Sequence, residues 1–228
     1  MSEVRTAALV CEGQTDVPVL RALLQAAWPE LEDVLCLQPE LDETDRAKGP
    51  AGWSQVKAWC EANAGRLDEV LDPDLGDRID LLVIAIDVDI AIQAGIADPP
   101  RSVGVYETKR LRDTMTGWLS AKGRVALPSA IVLSTPVTAV EAWIISALFR
   151  NEASPESIKD PAQFLVEKKR LRKSPSDGKP WKELHLYRDD FAPRVAKELK
   201  RVRKVCSEAD RTVRAVEQRR AQVEEADA

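Results

Sequence analysis

Apolar residues come in short, regularly spaced blocks along this chain, and the spacing predicts alternating strands and helices. Residues 6–11 form a short β-like run. After Gly13, the stretch "TDVPVLRALLQAAW" reads as a helix, with Leu20, Leu23, Leu24 and Ala27 on one face, Pro18 in its first turn, and Thr15 or Asp16 at its cap. Residues 29–52 are acidic and irregular and have room for one short strand at 34–37. "WSQVKAWCEANAGRLDEVL" follows as a helix with Trp53, Val56, Cys60 and Leu67 on one side. Residues 79–86 are unbroken apolar and β-branched, the pattern of a central strand buried on both faces. A helix from Tyr106 through Leu111, Met115, Trp118 and Leu119, a buried strand at 129–134 and a helix through Val140, Ile144, Ala147 and Leu148 complete the alternation.

That order predicts an α/β layered fold with a mainly parallel central sheet flanked by helices, whose strands end along one edge. It occupies residues 1–150. Residues 151–190 are polar and Pro-rich, with "EKKRLRKSPSDGKPWKE" at their centre, and read as a basic connection. Residues 191–228 read as a C-terminal helical extension made of one long helix. There Val195, Leu199, Val202, Cys206, Ala209, Val213 and Val216 recur at alternating spacings of 4 and 3, a heptad seam. The seam either pairs with a second copy in a homodimer or docks on the chain's own sheet.

Charge adds an asymmetry that the net value of −5 conceals. Residues 1–100 carry 20 acids and 7 bases, whereas residues 101–228 carry 18 acids and 26 bases. The first half suits cations and the second suits anions, although charged helices also serve solubility. With 44% apolar and 31% charged residues, and no apolar run near the ~18 needed for a bilayer span, the chain reads as globular, with no membrane partner. Residues 1–10 lack a signal-peptide pattern, so the expected location is the cytoplasm. Four scattered cysteines and one histidine, His185, exclude zinc ribbons and make a Ser-His-Asp or Cys-His enzyme a poor fit.

Candidate chemistry lies at strand ends. Glu12 follows the first strand, and Asp87 and Asp89 follow the strand at 79–86. In a parallel sheet both positions fall on the ligand-binding edge, and carboxylates held close repel unless they are protonated or share a cation. An oxygen-rich set suits Mg²⁺ or Mn²⁺. Glu141 closes a Thr138–Glu141 capping-box pattern, yet it also follows a strand ending on the same edge, so it either caps its helix or lines the site as a further metal ligand. Trp143 fits the helix core better than base stacking. Lys168, Lys169, Arg170, Arg172 and Lys173 form a dense basic cluster suited to nucleic-acid phosphates or to a solvated helix face.

Together, "LVCEGQTD" and "LLVIAIDVD" resemble the Toprim domain of topoisomerases, primases and nucleases of the overcoming-lysogenization-defect (OLD) type. The Glu-Gly-x-Thr-Asp variant at 12–16 is most similar to the OLD nucleases and to small stand-alone bacterial Toprim-like proteins. "STPVTAVEAWIISAL" is similar to a Pro-x-x-x-x-Glu-Ala-Trp segment in some of the latter. The resemblance covers residues 5–150. It implies that Glu12 is a general acid/base or metal ligand and that Asp87 and Asp89 bind magnesium, with an insertion at 29–75. It further implies metal-dependent cleavage of nucleic acid, anti-phage defence and an ATPase partner protein, since the chain has no P-loop of its own. The alternatives are a catalytically inactive Toprim-like scaffold subunit and, more weakly, a nucleotide-sugar transferase, which leaves the Glu12 turn unexplained.

Overall fold

In a computed structural model describing residues 4–44, 46–74, 76, 78–95, 108–120 and 126–227, the apolar blocks condense into a four-stranded, all-parallel sheet. Its strands are β1 (Arg5–Val10), β2 (Leu31–Gln38), β3 (Leu81–Ala85) and β4 (Ile131–Ser134), in the order β2-β1-β3-β4. The central pair is buried on both faces because its residues alternate between two cores. Ala7, Leu9, Leu81, Val83 and Ala85 face one core, while Ala8, Val10, Leu82, Ile84 and Ile86 face the other.

Helices cover both faces. α1 (Asp16–Ala27) lies over the first core; α2 (Trp53–Asn63), α3 (Leu67–Leu71) and α5 (Thr108–Leu119) lie over the second, while the short α4 (Val88–Gln93) follows β3. The chain leaves β1 for β2 on one side and returns to β3 on the other, so the sheet's switch point falls between β1 and β3. A parallel α/β sheet opens its crevice there. The region expected to be an insertion holds edge strand β2 with α2 and α3, the ordinary route to β3. The helix expected through Leu67 breaks after Asn63, at the Ala64-Gly65 step, and Tyr106, the expected start of the next one, lies outside the described residues.

Two expectations about the second half are corrected. Residues 151–190 are built into the fold: α7 (Pro161–Glu167) buries Leu165, the hairpin of β5 (Arg172–Lys173) and β6 (Pro180–Trp181) follows, and Leu171 and Tyr187 enter the first core. A short α8 (Leu184–Leu186) and a wide π turn at Tyr187–Phe191 then lead onward. The final stretch is three helices, α9 (Ala192–Lys197), α10 (Leu199–Val205) and α11 (Ser207–Ala226), broken at Glu198 and Cys206.

The heptad seam docks within the chain. Val195, Val202, Cys206, Ala209, Val213 and Val216 are all buried in the same core as α1 and α6 (Glu141–Leu148), which removes them from any dimer seam. Polar contacts fix this packing. Buried Glu208 accepts from Arg112, Thr135 and Arg211 at 2.7–2.8 Å, tying the start of α11 to the end of β4. Arg201 donates to the carbonyls of Ser146, Phe149, Arg150 and Glu152 at the end of α6 and in its following turn. Among the described residues no helix is long and apolar enough to cross a membrane.

Because Phe191 is buried against Tyr187 with ring centroids 5.3 Å apart, Phe191→Ala is expected to cost about 3–5 kcal/mol in urea unfolding. A cost below about 1 kcal/mol would show that the C-terminal segment is not part of the core.

Candidate functional site

The ends of β1 and β3 are brought level by their register, Val10 opposite Ile84, so the residues after each strand meet across the switch point. Glu12 Oε1 accepts the backbone N–H of Asp87 at 2.7 Å. That N–H stands just past the last ladder pair, and the carboxylate thus closes the β1–β3 ladder while holding the Asp-x-Asp turn against the Glu-Gly turn. Glu12 has a structural task after all, although it uses only one of the two oxygens.

Asp16 is not the helix cap expected of it. Thr15 holds the cap position without a side-chain bond, and Asp16 Oδ2 turns back to accept the Gly13 N–H at 2.9 Å. A Cβ at Gly13 would stand 3.4 Å from Asp16 Oδ2, in van der Waals contact with the carboxylate. Asp16 is therefore buried at the site rather than solvated at a helix start. Asp87 caps α4 through its backbone alone, and Asp89 lies in that helix's first turn.

Glu141 enters from the third strand end, at the start of α6. The capping box is absent: Thr138 sits at φ +64° and donates to the Val137 carbonyl, and Val140 takes the cap position. The Glu141 side chain is fully buried, and its Oε1 accepts from Tyr187 Oη at 2.6 Å and Lys182 Nζ at 2.7 Å. Lys182 follows β6 and is the one cation among the described residues that bears on the whole cluster. Trp143 is wholly buried and offers no stacking surface.

Electrostatics record the crowding. Loss of water pushes Glu12 up to about 8, with Asp16 and Asp89 adding repulsion against the Asp87 N–H bond. Burial likewise takes Asp16 to about 7, while Asp87 and Asp89 rise for the same reason, helped by neighbouring acids. Glu141 is the exception. Burial opposes its ionisation, but the Lys182 ammonium and the bonds from Lys182 and Tyr187 prevail and hold it below the usual carboxylate range.

This donor set is all oxygen, which suits Mg²⁺ or Mn²⁺ in kind and in charge. Asp89 Oδ1 and Glu141 Oε2 are buried with no hydrogen-bond partner, the condition a bound cation would relieve. Among the described residues, however, no three His, Cys, Asp or Glu side chains are arranged to hold a metal ion, because Glu12 is turned to the Asp87 N–H and Glu141 to Lys182 and Tyr187. The acids are assembled as a charge cluster, with no finished coordination shell.

The basic residues divide. Lys168 lies over the Phe164 ring at 5.2 Å and Arg170 pairs with Asp190 at 3.2 Å, whereas exposed Arg172 and Lys173 sit on β5 opposite Trp181 and Pro180. Lys182, Tyr187 and Asp16 join the site without a motif that marks them as site residues. Only the dense charge of the "KPWKE" stretch hinted at the first. Comparison of the chain with protein-family models, with curated proteins and with solved structures finds no match.

A carboxyl whose folded pKa exceeds its unfolded value of ~4 stabilises the fold while protonated and loses that contribution as pH rises through the folded pKa. The metal-free protein is therefore expected to lose melting temperature as pH rises from ~4 to about 8, and Glu12→Gln to lose less. Identical pH profiles for the two proteins would contradict the raised Glu12 pKa.

Proposed function

We propose that the chain is a Toprim-like, Mg²⁺- or Mn²⁺-dependent nuclease or related phosphotransfer enzyme acting on nucleic acid. The observation supporting this reading is the meeting of Glu12 and Asp16 after β1 with Asp87 and Asp89 after β3, joined by the Glu12–Asp87 bond at the sheet's switch point. Its motif order is that of the Toprim resemblance. A divalent ion bound there would polarise a phosphate and lower the pKa of water.

Glu12, Asp87 and Asp89 would hold such an ion, and Asp16 and Glu141 supply further oxygens beside them. Glu12 keeps one oxygen that it does not give to Asp87, and that oxygen can take part in ion binding or accept a proton from water. Lys182, 40% exposed at the mouth of the cluster, can turn its ammonium from Glu141 to a phosphate oxygen. By the same resemblance we propose a role in anti-phage defence beside an ATPase partner.

One observation favours a second reading, an inactive scaffold. Lys182 already neutralises part of the cluster from within the chain, as a permanent counter-ion would.

The two readings part in a cleavage assay on labelled single- and double-stranded DNA and RNA with Mn²⁺ or Mg²⁺. The nuclease reading expects cleavage that falls at least about 100-fold in both Glu12→Gln and Asp87→Asn. Cleavage at the wild-type rate by both variants would place the activity elsewhere, and no cleavage of any substrate would favour the scaffold.

A further inference from the structure

A groove of about 700 Å³ opens beside the acid cluster, and its lining is unlike the cluster itself. Gln14, from the Glu12 turn, forms one wall together with Arg46. Trp181, Lys182, His185 and Arg188 form the other, with Glu183 the one carboxylate among the lining side chains. Lys182 belongs to both places, since it lines the groove and reaches Glu141 at 2.7 Å. The groove is thus continuous with the site rather than remote from it. Gln14 Oε1 also accepts the Ala47 N–H at 2.8 Å, which fixes the Arg46 loop against the Glu12 turn.

Trp181 is the unusual member. Among the described residues the exposed large hydrophobic side chains are Val4, Leu35 and Trp181, and the indole, 46% exposed, is the aromatic one. Its backbone is held in the two-stranded hairpin opposite Arg172, so the ring is presented on a fixed support flanked by cations. An indole in a polar, basic groove matches a nucleobase with phosphates on either side. Stacking serves the base and guanidinium or ammonium groups serve the backbone. A duplex keeps its bases stacked inward and cannot offer one to Trp181 without unpairing it.

We infer that this groove binds single-stranded nucleic acid, seating an unpaired base on Trp181 and its flanking phosphates on Arg46, Arg188 and Lys182, and so feeds the strand to the acid cluster. The inference deepens the nuclease reading and rests on it for the strand's fate, but not for its binding. Arg188 also pairs with Asp189 at 2.9 Å on the surface, an exposed bond that a phosphate can exchange with. Because Trp181 and Lys182 line the same groove, a base on the first brings a flanking phosphate within reach of the second, at the mouth of the site.

Fluorescence anisotropy of a labelled, mixed-sequence DNA single strand of roughly 12 nucleotides, with EDTA present, tests binding apart from catalysis. The full chain is expected to bind the single strand more tightly than the matching duplex. Trp181→Ala should weaken single-strand binding at least about fivefold, Trp181→Phe should recover most of the loss, and Arg46→Ala should weaken binding and flatten its salt dependence. Trp181 is a surface residue, so loss of fold does not cloud the result. Unchanged binding by Trp181→Ala, or equal affinity for strand and duplex, overturns the inference. If Mn²⁺ then yields cleavage while Trp181→Ala binds like wild type, the groove fails and the nuclease reading stands. If the strand binds through Trp181 but is never cut, the groove stands and the nuclease reading fails.

Discussion

Carboxylates gathered away from water repel one another, and the carboxyl edge of this sheet is arranged around that repulsion. Glu12, Asp16, Asp87, Asp89 and Glu141 act on one another across the ends of β1, β3 and β4, and Lys182 is the one cation among the described residues that answers all five. A single ammonium leaves the group strongly anionic or partly protonated, which the raised values of Glu12 and Asp16 express. Either state is a standing demand for positive charge. The neighbouring groove carries that charge on its walls.

The fold makes the crowding possible by rigid means. β1 and β3 are buried on both faces by alternating apolar side chains, so their relative register is fixed by two cores at once. The turns that follow inherit that register, and Glu12 ties them together through the Asp87 N–H. The C-terminal half is part of the same device. Its helices fill the first core, Glu208 and Arg211 anchor them to the end of β4, and the segment before them brings Lys182, after the hairpin, and Tyr187, in the π turn, to the cluster and Trp181 to the groove beside it.

Much of this was legible in the residues. The unbroken run at 79–86 announced a central parallel strand, and the acids after two such strands announced a shared edge. The seam through Val195 and Val216 announced an apolar helix face, and only the fold shows that it docks within the chain. What stayed hidden was decided by tertiary contacts. Asp16 follows a Thr at a helix start and has the form of a cap, but the adjacent Gly13 N–H takes its carboxylate. Thr138 and Glu141 have the spacing of a capping box, yet Thr138 sits at φ +64° and Tyr187, 46 residues onward, takes the glutamate. Lys182 lies in a polar stretch where a solvated lysine has the same pattern, so only folding distinguishes it. The breaks at Glu198 and Cys206 leave the heptad spacing intact and could not be read from it.

The account stands on the acid cluster being a cation site, and metal-dependent thermal stability tests that most directly. Titration of the metal-free protein with Mn²⁺ at neutral pH is expected to raise its melting temperature in a concentration-dependent way, as a ligand that binds only the folded state must. The same titration should leave Asp87→Ala unmoved, since that substitution removes one of the acids that would hold the ion. No response in the wild-type protein, or the same response in both, would contradict it.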